Sequence, residues 1–177
     1  MACTLTLGRL YGCKEQSGGV KAIYFINRTT GLLDTATFDA SNQITAFASA
    51  LSLFKYEVRG ETHNFDEVGE INGDTGGRSV VQTLTASLIT QNIATRKELG
   101  ILMQSSPHII VEDYNGNFKF GGLENGFDCN ITAYGGTAML DGMGYNLVCT
   151  AKETDFAFFV DSTIIGDTTN TTVTVGT

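Results

Sequence analysis

The stretch Val80-Val81-Gln82-Thr83-Leu84-Thr85-Ala86-Ser87-Leu88 decides the fold class of this chain. Val80, Leu84 and Leu88 fall on one side of an extended backbone, and the Thr and Ser side chains fall on the other. A pattern of period 2 is typical of a strand that covers a core with one face and meets solvent with the other. The sequence therefore predicts a half-buried β-strand here.

The composition extends this prediction to the whole chain. The 177 residues include 21 Gly, many Thr and a single Pro, which favours short strands joined by tight turns over a helix bundle. Hydrophobic residues make up 42% and charged residues 17%, a balance that excludes a disordered chain. We find no internal repeat or linker. We therefore expect one mostly β domain over residues 1–177, with a polar C-terminal tail at 167–177.

Two further strands are predicted on the N-terminal side. In Phe54–Arg59, apolar and charged residues alternate strictly, which indicates another half-buried strand. In Val20–Arg28, apolar residues point both ways, with Tyr24 on one face and Phe25 on the other. Such a strand lies between two layers or is covered by another subunit.

The segment Gly60–Ser79 is acidic and has no apolar pattern of its own. A connection of this length predicts a functional or disordered segment, and we expect a long flexible hairpin loop. Its charged residues are Glu61, Asp66, Glu67, Glu70, Asp74 and Arg78.

A short helix is expected at Ile93–Gln104. Thr95 and Glu98 have the spacing of a capping box at its start. Its apolar stripe is predicted to consist of Ile93, Leu99, Leu102 and Met103.

A β-hairpin follows the helix. His108–Asp113 and Phe118–Phe120 flank an Asn115-Gly116 step, which favours a two-residue turn with positive φ angles. Two later strands are predicted at Phe127–Ala133 and Gly144–Lys152. The apolar stretch Phe156–Val160 is either a last core strand or a contact with another copy of the chain.

The charge and cysteine content narrow the functional classes. A net charge of −8 and a pI near 4.6 argue against a surface that grips nucleic-acid phosphates, although passing contact with DNA stays possible. We expect a soluble protein that does not enter membranes, because no apolar run is long enough to span one and the N-terminus lacks the pattern of an export signal. The four cysteines match no redox or zinc spacing, so we expect free thiols.

Little in the sequence points to catalysis or to a cofactor. His63 and His108 are the two histidines and are too few for a triad or a multi-histidine metal site. No glycine-rich phosphate loop is present. The carboxylates of Glu67, Glu70 and Asp74 could hold a cation weakly, but a solvated loop explains them better.

The order of the predicted elements resembles the tail tube proteins of bacteriophages, whose relatives include the inner tubes of contractile injection machines and of type VI secretion. The resemblance covers mainly Phe54–Gly126. Its most telling part is Thr95-Arg96-Lys97-Glu98-Leu99-Gly100-Ile101-Leu102 running into Pro107–Asp113 and Asn115-Gly116-Asn117. The same order is similar to small tail or ring proteins of phages with Bacteroidetes hosts. Residues 156–177 match no feature of the family.

This resemblance implies a fold, an assembly and a place of action. The fold would be a β-sandwich or partial barrel of antiparallel strands with one short flanking helix. Six subunits would form a ring whose lumen is lined by β-structure and by acidic residues, and the rings would stack. The protein would be a virion component assembled in the host cytoplasm. It would contact tail, neck or portal proteins and let DNA pass without specific binding.

The resemblance also implies roles for particular residues. The hairpin loop with Glu61, Asp66, Glu67, Glu70, Asp74 and Arg78 would order when rings stack. No catalytic residue is expected. Apolar residues expected to pack between subunits are Tyr24, Phe25, Phe54, Tyr56, Phe158 and Phe159.

Two other functions compete with the tube. A β-sandwich module could recognise a glycan or a receptor through its Gly- and Thr-rich loops, although the absence of Trp counts against an aromatic-lined site. An enzyme could use carboxylates between Glu61 and Asp74.

Overall fold

A computed structural model describes residues 17–60 and 62–175, which form a mostly β fold of two sheets with a short flanking helix. In chain order the elements are β1 (Val20–Ile26), α1 (Leu32–Thr35), β2 (Thr37–Phe38), β3 (Ile44–Ala46), β4 (Leu51–Glu57), β5 (Asn64–Ile71), β6 (Arg78–Ile89), α2 (Ile93–Leu102), β7 (His108–Asp113), β8 (Phe118–Gly121), β9 (Asp128–Tyr134), β10 (Gly144–Glu153), β11 (Phe158–Val160), a 3-10 turn (Ser162–Ile164) and β12 (Thr171–Val175).

The strands form a main sheet and a small sheet. The main sheet has the order β12-β4-β1-β7-β8-β11-β3-β2, and the small sheet has the order β5-β6-β10-β9. All pairs in the small sheet are antiparallel. The main sheet departs from the expected antiparallel arrangement at two places, because β12 runs parallel to β4 and β11 runs parallel to β3.

Strand β1 is buried on both faces, as its apolar sequence requires. Ile23 and Phe25 face the core between the two sheets, which we call the intersheet core. Tyr24 and Ile26 face a second core on the other side of the main sheet. Layers of this same chain therefore cover both faces of β1, which decides between the two arrangements that the sequence left open.

The second core explains why the main sheet resembles a partial barrel. Leu53 of β4 joins it from one half of the sheet, and Phe120 of β8 and Ile44 of β3 join it from the other half. Residues from distant strands meet in one cluster because the sheet curls around it. Within residues 17–60 and 62–175 the sheet ends at β12 and β2 without closing.

Two buried carboxylates have complete sets of partners. Glu112 accepts a hydrogen bond from the Tyr24 hydroxyl at 2.8 Å and pairs with the ammonium group of Lys21. Burial of the Tyr24 ring, reinforced by this carboxylate, raises the pKa of its hydroxyl. Glu153 accepts from the backbone N–H groups of Glu124 and Asn125, each at 2.9 Å, and so fixes the turn after β8.

The structure confirms the hairpin of β7 and β8 but corrects its turn. Only Gly116, with φ 81°, has a positive φ in the predicted Asn-Gly step. The N–H of Gly116 donates to the carbonyl of Asp113 at 3.2 Å, and the N–H of Asp113 donates to Asn117 at 3.0 Å. This is a three-residue loop with glycine at its left-handed position.

The predicted helix is present and begins at Ile93 as expected, but its cap and its packing differ. Asn92 is the N-cap, and its side chain accepts from the N–H of Thr95 at 2.6 Å, so the expected capping box at Thr95 is wrong. Leu99 and Leu102 are buried, whereas Ile93 is 91% exposed. Leu99 lies six positions after Ile93, which places their side chains about 120° apart around the helix.

The segment predicted as a flexible loop contains strand β5. Residues 64–71 pair with β6 at eight successive positions, and the turn at residues 72–77 joins the two strands. Sequence reasoning missed this strand because its inward positions include Glu67 and Gly69 as well as Phe65. The predicted hairpin is correct, but it is mainly strand.

The C-terminal region is more ordered than the sequence suggests. The predicted polar tail contains β12, whose Thr171 is fully buried and donates its hydroxyl to the carbonyl of Ile164 at 2.7 Å. The apolar stretch Phe156–Val160 supplies β11, which lies between β8 and β3. β12 pairs in parallel with β4, and its backbone hydrogen bonds hold it in the sheet although most of its side chains are polar. Val173 is its residue that packs against the second core.

A disulfide bond corrects the prediction of free thiols. Cys129 and Cys149 face each other directly across β9 and β10, with Cα atoms 4.0 Å apart, and their sulfurs are bonded. The sequence spacing of 20 residues could not show this, because the pairing depends on strand register. The expectations for Cys3 and Cys13 fall outside the described residues.

Reduction of this bond should lower the stability of the fold. Cross-linking residues 20 apart restricts the unfolded chain, an effect of about 3 kcal/mol. Urea unfolding with and without dithiothreitol measures the difference. Tryptic peptide Phe120–Lys152 contains both cysteines, so it should resist alkylation in denatured, unreduced protein. Full alkylation without reductant would contradict the pairing.

Candidate functional site

The outer face of the small sheet is a broad polar surface. Side chains on its strands alternate between the intersheet core and the outside, so each strand contributes every second residue to this face. The outward positions in the middle of the sheet are Asn64, Asp66, Val68, Val81, Thr83, Thr85, Asn146, Val148, Thr150, Asp128, Asn130 and Thr132. No described residue covers this face as a third layer, so the face is open to solvent.

Charge on this face is negative. The acids Asp66, Glu70 and Asp128 lie there, and Lys152 is the one cation among the outward strand positions that the structure describes. The ammonium group of Lys152 lies 3.4 Å from the Glu70 carboxylate, and both side chains are more than half exposed. This exposed pair therefore adds little stability. It leaves Asp66 and Asp128 as the two acids on this face without a cation beside them.

The two outermost strands of the small sheet are long. β5 has eight residues and β9 has seven, and neither pairs with another strand on its outer side within the described chain. The short Cα separation at the Cys129–Cys149 pair identifies it as a non-hydrogen-bonded pair. The N–H groups of Cys129, Ile131 and Ala133 therefore point away from β10, toward the open edge.

The acidic residues predicted as one group occupy different places. Asp66 and Glu70 lie on the outer face, Glu67 points inward, and Asp74 lies in the turn. Arg78 lies at the start of β6. Glu61 falls outside the described residues. The structure does not bring these carboxylates together, and within the described residues there is no cluster of three metal-ligating side chains.

A short segment straps the β5–β6 hairpin to the rest of the fold. The N–H of Ala157 donates to Glu67 at 2.5 Å, and Arg78 pairs with Asp155 at 3.0 Å. The ring of Phe156 lies over Gly69, where an added Cβ would stand 3.6 Å from it. These contacts hold the hairpin from Glu67 to its last pair, Ile71 and Arg78, and the turn at residues 72–77 lies beyond them.

The six residues predicted to pack between subunits differ in how far they are exposed. Tyr24 and Phe25 are buried in the two cores of this chain, so their assignment to a subunit contact is wrong. Phe158 packs against the second core beside Phe38, with ring centroids 5.3 Å apart. Phe159 is half exposed, and the Lys119 ammonium group lies 5.8 Å from its ring.

Phe54 and Tyr56 line an open groove between β4 and α2. The groove has a volume of about 770 Å³ and continues to Val175 in β12. The ring of Tyr56 contacts Phe25 edge to face at 5.1 Å, and burial raises the pKa of its hydroxyl. Another cleft, of about 630 Å³, lies beside Ser17.

The loop between β9 and β10 carries a feature that the sequence reasoning missed. Asp141 accepts hydrogen bonds from the N–H and hydroxyl of Thr137 and the N–H of Ala138, at 2.7, 2.9 and 2.8 Å. These bonds lower the pKa of its carboxyl group. The turn they fix presents Met139 and Leu140, which are fully exposed. An apolar pair within a Gly-rich turn was the available signal.

The two histidines are buried and bonded to backbone groups. His63 accepts from the N–H of Ser87 at 3.1 Å and donates to the carbonyl of Arg59 at 2.8 Å. His108 donates to Gly122 at 2.5 Å and accepts from the N–H of Thr29 at 3.0 Å. Both side chains therefore tie loops to strands. None of the helices in residues 17–60 and 62–175 is long and apolar enough to cross a membrane.

Comparisons with known proteins give no relative: no family model, no curated protein and no solved structure matches the chain.

Replacing Glu67 should loosen the strap on the hairpin. In Glu67→Ala the N–H of Ala157 loses its acceptor, and we expect a loss of about 1–3 kcal/mol in the free energy of unfolding. Faster hydrogen exchange at residues 155–158 should accompany it. Asp66→Ala is the matched control, since its side chain lies on the outer face. Equal effects of both substitutions would show that the strap contact is not specific.

Proposed function

We propose that this chain is a structural subunit of a bacteriophage tail, which assembles into rings that form a channel for DNA. The observation that carries the proposal is the small sheet. It combines a polar outer face with two long edge strands that no described strand pairs. Unpaired edges of this length are sites for pairing with another chain, and joining them between copies gives a closed wall.

The strand count of the small sheet suits such a ring. Its four strands alternate in direction, so the two outermost strands, β5 and β9, run in opposite directions. Rotation about an axis roughly along the strands preserves these directions in every copy. β9 of one subunit would therefore meet β5 of the next as an antiparallel pair, and each junction would continue the pattern of the sheet.

The charge of the outer face suits a channel for DNA. With this face toward the lumen, Asp66 and Asp128 of each subunit would face the phosphates without a neighbouring cation. A negative wall repels a phosphate backbone and offers no basic groups for counterion exchange. DNA would therefore slide through the ring without binding to it.

The resemblance of Phe54–Gly126 to tail tube proteins supplies the remaining details. It supports a hexameric ring, stacking of rings, a place in the virion tail, and contacts with other tail, neck or portal proteins. The β5–β6 hairpin contains most of the Gly60–Ser79 segment, to which the resemblance gives a role between rings.

A binding module is the second candidate, because the groove lined by Phe54 and Tyr56 offers an apolar site of about 770 Å³. Such a module would act as a monomer or small oligomer. Its groove substitutions would abolish ligand binding without any effect on assembly.

The ring is tested by blocking one edge of the small sheet. Ala133→Pro removes an N–H group that points toward the open edge and leaves the β10 pairing intact, because proline is tolerated on edge strands. We expect wild-type protein to form open-centred rings in electron microscopy and mass photometry, and Ala133→Pro to stay monomeric. Ala133→Val keeps the N–H and should form rings.

Circular dichroism and thermal unfolding check that the proline variant is folded. Wild-type protein that stays monomeric at all concentrations would contradict the ring, and ligand screening on the groove would follow. Rings formed equally well by Ala133→Pro would contradict pairing through β9.

Reversing the charge of the outer face should convert a passive channel into a DNA-binding one. In Asp66→Lys/Asp128→Lys each subunit gains four units of positive charge on this face, so rings should bind duplex DNA with strong salt dependence. Wild-type rings should not bind it. The matched control is Asp34→Lys/Asp39→Lys, which makes the same change on the main-sheet side of the fold. Equal binding by both variants would contradict the assignment of this face to the lumen.

A further inference from the structure

The chain contains three Asn-Gly steps, at Asn72-Gly73, Asn115-Gly116 and Asn125-Gly126. In such a step the backbone nitrogen of the glycine can attack the side-chain carbonyl of the asparagine, because glycine has no side chain to hinder the approach. The attack requires a free glycine N–H group and an asparagine side chain that other contacts do not hold. The three steps share this chemistry and differ in how the fold holds them.

The step in the β7–β8 loop is clamped by hydrogen bonds. The side chain of Asn115 accepts from the N–H of Ser17 at 2.9 Å and donates to the carbonyl of Ser17 at 2.8 Å. The N–H of Gly116 donates to the carbonyl of Asp113 at 3.2 Å. Both the attacking nitrogen and the side chain that it would attack are therefore engaged.

The step in the turn after β8 is clamped as well. The side-chain amide of Asn125 donates to the carbonyl of Lys152 at 2.6 Å. The N–H of Gly126 donates to the carbonyl of Gly122 at 3.1 Å. Gly126 is also buried against the backbone of Ser106, which leaves no room even for a Cβ. Reaction at this step would require these contacts to break.

The step in the turn of the β5–β6 hairpin is held in the opposite way. The side-chain oxygen of Asn72 accepts from the N–H groups of Asp74 and Thr75, at 3.0 and 3.3 Å. Among residues 17–60 and 62–175, neither the N–H of Gly73 nor the side-chain NH₂ group of Asn72 has an acceptor. Both residues are exposed to water. The attacking nitrogen and the leaving group are therefore free, while the carbonyl oxygen between them is bonded.

The two donors to Asn72 favour reaction at its side-chain carbonyl. When a nitrogen attacks, the carbonyl oxygen takes up negative charge, and N–H groups that already point at this oxygen stabilise the charge as in an oxyanion hole. The backbone of Asn72 is fixed too, since its N–H donates to Gly77 and its carbonyl accepts from Gly76, each at 2.8 Å. The turn therefore holds the reacting residue and leaves the next N–H group free.

We propose that Asn72 is a site of spontaneous deamidation, with water as the co-reactant. The nitrogen of Gly73 forms a bond to Cγ of Asn72, and the bond from Cγ to Nδ2 breaks. Nδ2 leaves as ammonia and carries away the proton that the Gly73 nitrogen loses. Water then opens the succinimide ring at either of its two carbonyl carbons, which gives aspartate or isoaspartate. Neither step transfers electrons to or from another molecule.

The modification changes the charge and the backbone of the hairpin turn. Either product adds a negative charge beside Asp74. In isoaspartate the main chain runs through Cγ, so the N–H groups of Asp74 and Thr75 lose the acceptor that orders the turn. The pair of Ile71 and Arg78 precedes the turn and should remain. This chemistry belongs to a single subunit and does not depend on the proposed ring.

The chain supplies internal controls for the test, because trypsin places the three steps in separate peptides, Gly60–Arg78, Glu98–Lys119 and Phe120–Lys152. The folded protein is incubated in heavy-oxygen water and then unfolded, reduced and digested in ordinary water. The new carboxylate takes its oxygen from water, so only deamidation that precedes digestion carries the label. Mass spectrometry with peptide fragmentation measures the label at each asparagine.

We expect the label at Asn72 to exceed that at Asn115 and Asn125 by about tenfold or more, because the other two steps must first break hydrogen bonds. In urea with dithiothreitol these contacts are lost, and the three steps should react at similar rates. Gly73→Ala should slow the reaction at Asn72 alone, since a methyl group hinders the attack. Open space around Gly73 accommodates this methyl group in the folded chain.

Similar rates at the three steps of the folded protein, or faster reaction at Asn115 or Asn125, would overturn the proposal. The same holds if Asn72 stays unreactive over a period in which the urea-unfolded chain reacts. An unchanged rate in Gly73→Ala would exclude the Gly73 nitrogen as the attacking group. Thermal unfolding checks that this variant is folded, and the comparison within the wild-type chain does not depend on it.

Discussion

The burial of β1 on both faces is the constraint on which the rest of the fold depends. One face requires the small sheet and α2 above it, and the other requires the curled half of the main sheet below it. Neighbours β4 and β7 pair with it on either side, as the third of the eight strands of the main sheet. The carboxylate of Glu112 is held there by Tyr24 from β1 itself. The two layers therefore could not form independently of this strand.

This arrangement divides the chain into a part that stabilises and a part that is available for contact. Both faces of the central main-sheet strands are covered within the chain, so their aromatic residues serve the cores. The small sheet contributes one face to the intersheet core and leaves the other polar. Among residues 17–60 and 62–175, no other part of the fold covers its two edges, its outer face or its two ends. These surfaces are better candidates for assembly than the groove beside α2, because strand edges can pair between copies of the chain and the groove offers no such edge.

The sequence predicted elements whose pattern is local and missed those that depend on distant partners. The alternation in β6 and the hairpin around Gly116 are local patterns, and the structure confirms both elements, although the turn has three residues and not two. β5 was missed because Glu67 faces inward toward the N–H of Ala157, 90 residues away. The bond of Cys129 to Cys149 required the register of β9 against β10. The Met139–Leu140 turn was missed because its apolar pair is visible in the sequence, but the exposure of that pair is visible only after folding.

The disulfide has a consequence for the outermost strand of the small sheet. Such bonds persist in oxidising surroundings and are rare where cellular thiol systems keep cysteines reduced. In a reducing environment β9 would be held to β10 by backbone hydrogen bonds alone. In an oxidising environment the disulfide would add a covalent link between the two strands. An assembly built before oxidation and sealed afterwards would pass from a reversible state, in which errors can be corrected, to a durable one. The redox state of this one bond would then show whether the assembly had reached an oxidising environment.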